Sequence, residues 1–538
     1  MQFFCFLLVL IYFFNPCQGQ LVENYNFTLP KGFARSVINM DELLHLEDDL
    51  AFNLEQYVEA LSQKANTIRM GIQEMTTRYE ERIEPELNPA WNPFNSYSLI
   101  RHMQADWMMW QLYMEKPAGQ ENLDSLNSKM LELPEHSDLK DAAEGIRRAQ
   151  KIYNMSASDV AKGLLDGVQY NASLTARDCL EMGRYLMNQT RWIKAKEWIT
   201  AGMQALTRID DHQPELQELT GTSKVELLTT LGQVLVKLNM SEAALQAYQA
   251  ALKESPYDAK LLQEFRLAET ELLTRPAIHD SSQDDIPDAH DLPNCCSGRC
   301  ELPRKLRLYC LYNTTASSFL RLAPIKMEIL SLDPYIVLFH DVVSPRKMQR
   351  IRAETKPYLI PSTTYNPHLN AYRVINSRTS KSVWLEWDMN NDTKELTIML
   401  EDATSLNINS SEMFQVMNYG VGGLFNIHAD SLLTDEERFI GPADRIATAL
   451  FYLSDVPQGG GTVFPYLNLT VFPQAGSVLF WYNLDTRGNE DLSTIHGGCP
   501  VIVGSKWVMS KWIYDMGQEF RKPCYDLGTP QNKDFGTF

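Results

Sequence analysis

Residues 414–430, FQVMNYGVGGLFNIHAD, are the stretch that decides the fold of the C-terminal third of the chain. The run from Phe414 to Tyr419 contains the aromatic and β-branched residues typical of a strand, and the glycines within 420–423 predict a tight turn after it. Further short runs of β-branched and aromatic residues, separated by Gly, Pro, Asn and Asp, occupy 336–339, 447–453, 477–481 and 501–503. Many short antiparallel strands over about 200 residues are typical of a jelly roll or a similar double sheet.

Three side chains in this region have the pattern of a metal site. His428-x-Asp430 follows the glycine turn, and His496 comes after a later strand and a polar loop. Two imidazoles and one carboxylate form the facial triad of non-haem Fe(II) oxygenases, which leaves positions open for a bidentate cosubstrate and oxygen. Lys506 lies ten residues beyond His496, at the start of the next strand. An adjacent antiparallel strand would bring Lys506 back toward the metal, where its charge would hold the far carboxylate of 2-oxoglutarate.

The overall composition excludes one class of function. The chain of 538 residues carries 68 acidic against 49 basic side chains, a formal net charge of −19. Such a charge repels nucleic-acid phosphates and anionic lipid, so we expect no nucleic-acid partner. A hydrophobic content of 44% and a charged content of 22% predict packed soluble domains, three or four by length.

The N-terminus predicts entry into the secretory pathway. Residues 3–14 form an apolar run of about twelve, close to a signal-peptide core and short of the roughly twenty that span a bilayer. Asn15-Pro16 breaks the run, and small residues precede Gln20 at the expected cleavage site. We therefore predict a signal peptide over 1–19 and no membrane span. The alternative is a short buried helix at the start of the first domain. Nine Asn-x-Ser/Thr sequons agree with that route: Asn26, Asn154, Asn171, Asn188, Asn239, Asn313, Asn391, Asn409 and Asn468. The last residues, 536–538, are not a KDEL-type signal, so retention in the endoplasmic reticulum lumen would need a partner.

The cysteines fit an oxidising compartment. Of nine cysteines, Cys5 and Cys17 fall in the signal peptide, which leaves seven: Cys179, Cys295, Cys296, Cys300, Cys310, Cys499 and Cys524. The cluster from Cys295 to Cys310 has zinc-like spacing, but in a secreted chain it more often closes a short disulfide loop. Cys499 and Cys524 could form a second bridge, and pairing within the cluster stays open.

Two helical regions precede the strands. Apolar residues step by three or four from Leu43 to Met75, which predicts a long amphipathic helix, either packed on its own domain or forming a coiled-coil dimer seam. A second apolar helix is expected from Tyr97 to Met114.

Residues 141–273 show a weak tetratricopeptide-like repeat, in which small residues let paired helices approach closely, for example Gly183 and Gly232. Such a solenoid suits an extended peptide, although a purely structural stack has the same spacing.

These patterns predict a multidomain α+β chain, with an N-terminal coiled-coil or helical region, a tetratricopeptide-like domain and a C-terminal double-stranded β-helix. The expected divisions are a signal peptide at 1–19, a helical or dimerisation region at 20–140, a peptide-binding domain at 141–273, an acidic linker with the cysteine cluster at 274–330, a catalytic domain at 331–525 and a tail at 526–538.

At this point the chain resembles the catalytic α subunit of collagen prolyl 4-hydroxylase. The resemblance covers nearly the whole chain, and its catalytic third is the most specific part. The stretches that carry it are residues 415–423, 445–448, 451–456, 460–465, 480–484, 496–501, 504–507 and 517–521.

The resemblance implies a set of roles for these residues. His428, Asp430 and His496 would bind Fe(II), Lys506 would pair with 2-oxoglutarate, and Tyr419 and Thr462 would line the cosubstrate pocket. It further implies hydroxylation of collagen-like peptidyl proline at C4, coupled to decarboxylation of 2-oxoglutarate, with L-ascorbate as the reductant that rescues oxidised iron. Protein disulfide isomerase would be the β subunit of an α2β2 tetramer and would carry the retention signal.

The helical region departs from the family pattern. Members that bind proline-rich peptides have tyrosines along the second repeat, whereas residues 227–236 contain none and place Thr230, Gln233 and Val236 there. We therefore expect weak binding of polyproline, with Trp192, Trp198 and Tyr185 as possible compensation. One alternative is a related 2-oxoglutarate oxygenase that acts on another side chain, such as lysine, or on a non-collagen peptide. The other is a non-catalytic lumenal adaptor that binds peptide through its repeats, for which a broken triad or a lost Lys506 would be expected.

Overall fold

The computed structural model describes residues 32–80, 93–206, 219, 222–274, 292–300, 309–366, 371–386, 388–409, 411–432 and 443–522. The expected signal peptide, residues 275–291 and 301–308 of the expected linker, Cys524 and the expected tail lie outside the described residues. Within the described part of the chain, none of the helices combines the length and the apolar character that a bilayer crossing needs. The chain divides into two compact units, one formed by residues 38–136 and one by the residues before and after it.

The smaller unit is helical. Its elements are α1 (Ile38–Glu80), α2 (Pro93–Arg101), a π-helical turn (His102–Asp106), α3 (Trp107–Glu115), α4 (Gln120–Lys129) and a 3-10 turn (Met130–Glu132). The long helix expected over 43–75 and the apolar helix expected over 97–114 are both confirmed, the latter with the π turn in its middle. Gly71 of α1 lies directly against the indole ring of Trp110 of α3. A Cβ on this glycine would come within 2.2 Å of that ring, so a larger residue would not fit here.

The α1 helix has two apolar stripes. One stripe, which includes Leu43, Leu46, Leu50 and Tyr57, is partly buried on the side that contacts α3 and α4. Lys64 Nζ donates to the carbonyl of Met114 at 2.7 Å, and Asn53 Nδ2 donates to the carbonyl of Asn122 at 2.9 Å. The other stripe is exposed and repeats with alternating steps of three and four residues, through Ala51, Leu54, Val58, Leu61 and Ala65. The helix therefore packs on its own domain and also keeps a coiled-coil-like face toward solvent.

The larger unit begins with a helical portion. Its elements are a 3-10 turn (Phe33–Arg35), α5 (His136–Ile152), α6 (Ala157–Ala161), α7 (Ala176–Asn188), α8 (Trp192–Leu206), α9 (Lys224–Lys237), α10 (Ser241–Glu254), α11 (Ala259–Thr274) and α12 (Leu292–Cys296), with a small hairpin of β1 (Leu164–Leu165) and β2 (Val168–Gln169).

The paired helices α7–α8 and α9–α10 have the close approach that the repeat spacing predicts. A Cβ on Gly183 would lie 2.6 Å from Ile199, and a Cβ on Gly232 would lie 2.7 Å from the ring of Tyr248. In each pair the glycine therefore admits a large side chain from the partner helix. Thr175 and Asp178 form a capping box at the start of α7, which fixes where that helix begins.

The three residues of α9 that stand where family members have tyrosines do not form one open row. Thr230 is buried, and its hydroxyl donates to the carbonyl of Glu226 in its own helix at 2.7 Å. Val236 packs against apolar side chains of the α9–α11 layer, and Gln233 reaches across to α11, where Nε2 donates to Glu264 at 2.9 Å. Helical periodicity alone placed all three on one face, but helix–helix packing buries Thr230 and covers part of Val236.

The strands of the larger unit form two facing sheets and, beside them, two separate two-stranded ladders. They are β3 (Tyr309–Asn313), β4 (Ile325–Leu332), β5 (Tyr335–His340), β6 (Ile360–Pro361), β7 (Thr363–Asn366), β8 (Ala371–Val374), β9 (Ser380–Leu385), β10 (Phe414–Tyr419), β11 (Phe425–His428), β12 (Arg445–Tyr452), β13 (Gln458–Gly459), β14 (Thr462–Phe464), β15 (Leu469–Val471), β16 (Val478–Tyr482), β17 (His496–Gly498), β18 (Val501–Val503) and β19 (Trp507–Tyr514). Helices α13 (Pro345–Thr355) and α14 (Asn391–Thr404) and 3-10 turns at Phe319–Arg321, Lys356–Tyr358, Pro465–Leu467 and Leu492–Thr494 connect them.

The strand pairs of the described residues are antiparallel. The large sheet has the order β3-β4-β5-β16-β12-β19-β10-β9-β6, and the smaller sheet has the order β11-β17-β14-β15. This architecture confirms the expected double sheet and the five strands predicted from residue type. The sheet begins earlier in the chain than the boundary expected near residue 331, because β3 and most of β4 fall inside the expected linker yet join β5 in the large sheet.

The disulfides correct one expected bridge. Cys295 pairs with Cys300, which closes a short loop as expected, and the second bridge joins Cys296 to Cys499. The expected bridge between Cys499 and Cys524 is therefore wrong, because Cys499 is already paired. The bridge that forms connects α12 to the residue directly after β17, so it ties the helical portion to the smaller sheet. Among the described residues, Cys179 is a buried free thiol and Cys310 an exposed one.

A short N-terminal segment and α5 hold the glycine turn that follows β10. Val421 N donates to the carbonyl of Ala34 at 3.0 Å. On the other side, a Cβ on Gly145 of α5 would lie 2.1 Å from the carbonyl oxygen of Val421. Residues 141–152, expected in a separate peptide-binding domain, thus pack on the turn that leads to His428.

A buried amide in β10 connects the same N-terminal segment to Lys506. Asn418 Oδ1 accepts from the hydroxyl of Ser36 at 2.6 Å, and Asn418 Nδ2 donates to the carbonyl of Lys506 at 3.2 Å. Asn418 and Ser36 are both fully buried. The residues just before α1 therefore support β10 of the large sheet. They are part of this fold and do not form a linker between independent domains.

Candidate metal centre

The two candidate histidines face each other across a strand pair. Strands β11 and β17 are antiparallel, and His428 is the register partner of His496. Asp430 lies two residues after the end of β11, with its Oδ1 at 3.5 Å from His428 Nε2 and its Oδ2 at 3.7 Å from His496 Nε2. One ligand atom from each of the three lies within 4.8 Å of the others. The structure therefore brings the three predicted ligands into one cluster.

Backbone carbonyls fix the tautomer of both imidazoles. His428 Nδ1 lies 2.7 Å from the carbonyl oxygen of Asn426, and His496 Nδ1 lies 3.1 Å from the carbonyl oxygen of Thr494. Because a carbonyl oxygen only accepts, each Nδ1 carries the hydrogen and each Nε2 keeps a free lone pair. Both Nε2 atoms are the ones nearest Asp430, so all three side chains present donor atoms to one point.

Burial and charge set the protonation states that metal binding needs. Burial lowers the pKa of His496 to about 4, although the Asp430 carboxylate acts to raise it, so the imidazole is neutral at neutral pH. Burial acts to raise the pKa of Asp430, but its interactions with the facing imidazoles of His496 and His428 outweigh burial and hold that pKa well below its usual range. A neutral imidazole and an ionised carboxylate are the forms that coordinate a cation.

The cluster opens into a pocket between the two sheets. Alternate residues of the central strands line it on one side, since every second residue of a strand points to the same face: Met417 and Tyr419 of β10, Thr448 and Leu450 of β12, and Val508, Ser510 and Trp512 of β19. His428, His496 and Thr462 of the smaller sheet line the other side. Tyr419 and Thr462 thus lie in the same pocket as the triad, and Tyr452 donates to the Thr462 hydroxyl at 2.8 Å.

Lys506 supplies a buried cation to the same pocket. It precedes β19, is only 2% exposed, and its Nζ lies 5.0 Å from the ring centroid of Tyr419. No carboxylate among the described residues forms an ion pair with it, and burial lowers the pKa of this ammonium to about 7. A buried cation without a counter-ion favours an anionic ligand.

Two arginines near the pocket have different roles. Arg445 is ion-paired with Glu412, and its guanidinium lies over the ring of Trp512 at 4.3 Å. It is therefore not free to bind a ligand carboxylate through the paired nitrogens. Arg378, which sequence pattern did not predict, lines the pocket and donates from Nη2 to Gln415 Oε1 at 2.6 Å. It lies in the stretch Asn376-Ser377-Arg378 before β9, where nothing in the sequence distinguishes it from a surface arginine.

The pocket has unsatisfied donors. Among the described residues, Arg378 Nε, Trp481 Nε1 and Trp512 Nε1 are buried and have no hydrogen-bond partner, and all three residues line the pocket. Buried donors normally find acceptors, so a ligand rich in acceptor oxygens would satisfy them. A dicarboxylate on a cation-binding triad fits this donor set.

The fold and the site define a class, and the comparisons with known proteins agree. The family described as "2OG-Fe(II) oxygenase superfamily" matches residues 414–514, which contain all of the candidate ligands. The chain is therefore a 2-oxoglutarate- and Fe(II)-dependent oxygenase. The family described as "Prolyl 4-Hydroxylase alpha-subunit, N-terminal region" matches residues 36–167.

The full-length relatives identify the family. The chain is 30% identical over 92% of its length to the prolyl 4-hydroxylase subunit alpha-1 of Mus musculus, covering 95% of that protein, and equally to that of Homo sapiens. It is 29% identical to prolyl 4-hydroxylase subunit alpha-2 of Gallus gallus over 91% of this chain and 95% of that protein. A solved viral collagen prolyl hydroxylase from Paramecium bursaria Chlorella virus-1, in complex with 2OG, aligns at 22% identity over 33% of this chain and 95% of that chain, with a TM-score of 0.28. The chain belongs to the prolyl 4-hydroxylase α-subunit family.

Fe(II) and 2-oxoglutarate are the cofactor and cosubstrate of this class, and the residues present fit them. When bound, the metal supplies oxygen activation coupled to decarboxylation of 2-oxoglutarate. The chain itself supplies two imidazoles, one carboxylate, a buried ammonium and a pocket enclosed between two sheets.

The first prediction concerns the three metal ligands. His428→Ala, Asp430→Ala and His496→Ala each remove one of three protein ligands, so we expect Fe(II) affinity and hydroxylation to be lost while the protein stays folded. Metal content after dialysis and 2-oxoglutarate turnover measure the effect, and circular dichroism checks the fold. Full activity in any one variant would remove that residue from the site.

The second prediction concerns Lys506. Because a dicarboxylate binds the charged ammonium, and this charge is lost as pH rises through about 7, we expect the KM for 2-oxoglutarate to rise above that pH. Lys506→Arg keeps its charge and should flatten this pH dependence. Lys506→Ala loses a charge-assisted bond worth about 1.5–3 kcal/mol, so below about pH 7 its KM should be roughly tenfold or more above that of the unmodified protein, and this difference should shrink at higher pH.

Steady-state kinetics at several pH values provide the test, with binding of the peptide substrate as the control that should not change. An unaltered KM in Lys506→Ala would place the essential cation elsewhere, with Arg378 as the next residue to substitute.

Proposed function

We propose that this chain is a procollagen-proline 4-dioxygenase α subunit that hydroxylates peptidyl proline at C4, with 2-oxoglutarate and O2 as cosubstrates. The observation that carries the proposal is the convergence of His428, Asp430 and His496 beside the buried Lys506 in one pocket. His428, Asp430 and His496 are the proposed metal ligands. Lys506, Tyr419 and Thr462 are the proposed 2-oxoglutarate contacts, and L-ascorbate is the proposed reductant of oxidised iron. The intact triad disfavours a non-catalytic adaptor.

The helical portion at 141–273 is the proposed site for the peptide outside the catalytic pocket. The exposed and half-buried side chains of its first helices are joined by ion pairs and hydrogen bonds rather than by an aromatic row. Arg184 of α7 pairs with Glu226 of α9 at 2.6 Å, and the Tyr185 hydroxyl donates to Glu144 of α5 at 2.7 Å. Trp198, expected as a compensating aromatic, is fully buried and donates to Gln150 at 3.0 Å, so a ligand cannot stack on it.

The third prediction follows from this polar surface. We expect the full chain, coexpressed with protein disulfide isomerase, to hydroxylate collagen-like (Pro-Pro-Gly) peptides but to bind poly-L-proline weakly, because stacking rings are missing from α9. Turnover of 2-oxoglutarate on collagen-like, lysine-containing and non-collagen peptides, together with product analysis at proline C4, tests the reaction. Calorimetry with poly-L-proline tests the surface, and Asp430→Ala is the inactive control for turnover.

Two results would contradict these expectations separately. Hydroxylation of lysine, or of no proline peptide, would overturn the proposed reaction. Micromolar or tighter binding of poly-L-proline by the unmodified chain would overturn our interpretation of α9 and direct attention to Tyr185 and Trp192, which are half-buried rather than enclosed.

We also propose an α2β2 assembly in the endoplasmic reticulum lumen, with protein disulfide isomerase as the β subunit. Support for a second copy of this chain comes from α1, whose exposed stripe repeats like the a and d positions of a coiled coil, with Leu54 63% and Leu61 43% exposed. Support for the lumenal location comes from the predicted signal peptide, the disulfides and the exposed sequons. Asn313 is the exception among the described sequons, because it is buried and donates to the carbonyl of Ala403.

The fourth prediction tests this stripe. The double variant Leu54→Lys with Leu61→Lys places like charges along the proposed seam, so we expect the mass of the assembly to halve in analytical ultracentrifugation while the partner subunit stays bound. Met70→Lys is the matched control, because Met70 is also apolar and is 70% exposed but lies off the stripe. An unchanged mass for the double variant would show that α1 does not pair through this face.

A further inference from the structure

A buried hydrogen-bond relay ends on the carboxylate of the metal cluster. Thr448 lies in the middle of β12, where its register partners are Trp481 on β16 and Trp512 on β19. Its hydroxyl donates to Asp430 Oδ2 at 2.7 Å. Asn483, the residue after β16, donates from Nδ2 to the same hydroxyl at 2.9 Å. Thr448 is 2% exposed and Asn483 is 3% exposed, so bulk water does not compete for these bonds.

The direction of the relay follows from the chemistry of its members. An amide nitrogen only donates, so the Thr448 oxygen is the acceptor of the Asn483 hydrogen and its own hydrogen must go elsewhere. Its two candidate acceptors are Asp430 Oδ2 at 2.7 Å and Asn483 Oδ1 at 3.3 Å. The ionised carboxylate is both nearer and the stronger acceptor, so the hydrogen points to Asp430.

The backbone holds Asn483 in place at the far end of the relay. Its Nδ2 also donates to the carbonyl of Arg445 at 3.2 Å, its backbone N donates to the carbonyl of Ile446 at 2.8 Å, and its carbonyl accepts from Asp491 N at 2.9 Å. The amide is therefore anchored on both sides by groups outside the metal cluster. Because the backbone fixes Asn483, the relay determines the orientation of the Asp430 carboxylate.

We propose that Thr448 and Asn483 are positioning residues that make Asp430 a one-oxygen metal ligand. The hydrogen bond engages Oδ2 and leaves Oδ1 with its lone pairs available to a metal. A two-oxygen carboxylate would occupy one of the three positions that a facial triad leaves open, and a bidentate cosubstrate plus oxygen need all three. The inference rests on the proposed metal ligands and goes beyond them, because it concerns how the carboxylate binds rather than whether it binds.

The test uses the full chain with Mn(II) as the probe. Thr448→Val keeps the shape of the side chain and removes the hydroxyl, so we expect Mn(II) affinity to fall about tenfold or more. Thr448→Ser keeps the hydroxyl and should retain affinity close to that of the unmodified protein. Thr397→Val is the matched control, since Thr397 is also buried but its hydroxyl donates to the carbonyl of Thr393 within α14, at 2.9 Å.

A second readout separates positioning from general packing. Pulsed electron paramagnetic resonance in ¹⁷O-labelled water counts the waters on bound Mn(II). We expect one water fewer in Thr448→Val than in the unmodified protein, because the freed Oδ2 can then join Oδ1 on the metal.

Asn483→Ser is the second variant, to be used if Thr448→Val does not fold. It removes the amide that donates to the Thr448 hydroxyl, so it should also reduce Mn(II) affinity.

The outcomes distinguish this inference from the proposed function. A folded Thr448→Val, or in its place a folded Asn483→Ser, with unchanged Mn(II) affinity and water count overturns the positioning role while leaving the metal ligands intact. If the unmodified chain binds Mn(II) no better than Asp430→Ala does, the proposed ligand set fails and the positioning role fails with it. Loss of affinity in Thr448→Val but not in Thr448→Ser or Thr397→Val, with the lower water count, supports the relay.

Discussion

The antiparallel pairing of β11 with β17 is the interaction on which the site depends. It sets His428 opposite His496, and the backbone carbonyls beside each histidine then orient both Nε2 atoms toward Asp430. A slip of one residue in this register would turn one imidazole to the other face of the sheet, because side chains alternate along a strand. The disulfide from Cys296 to Cys499 lies directly after β17 and ties this strand to α12.

The pocket combines charge with enclosure between two sheets. The nine-stranded sheet contributes alternate residues of its central strands, and Lys506, Arg378 and two indole groups surround the triad in a region with few polar partners. Burial lowers the pKa of Lys506 because the ammonium has lost its water without gaining a carboxylate from the described residues. The buried ammonium therefore carries an electrostatic cost that an anionic cosubstrate would offset.

The sequence by itself determined the elements that depend on local pattern. Residue type and turn chemistry predicted β10 to the residue, and the spacing of Gly183 and Gly232 predicted close helix pairs. The order of two histidines, one aspartate and one lysine predicted a metal and cosubstrate site. Each of these is a matter of short-range periodicity or of side-chain chemistry, and both are readable along the chain.

Only the tertiary structure decided the features that depend on distant parts of the chain. Cys499 pairs with Cys296, Thr230 is buried by helix packing, and β3 and β4 join a sheet whose other strands lie far along the sequence. Arg378, Thr448 and Asn483 reach the site because register places them there. Thr448 and Asn483 lie in stretches that carry the family resemblance, but local pattern assigns none of the three to the metal site. Their positions depend on long-range antiparallel pairing and on burial, which a single sequence does not encode in any short segment.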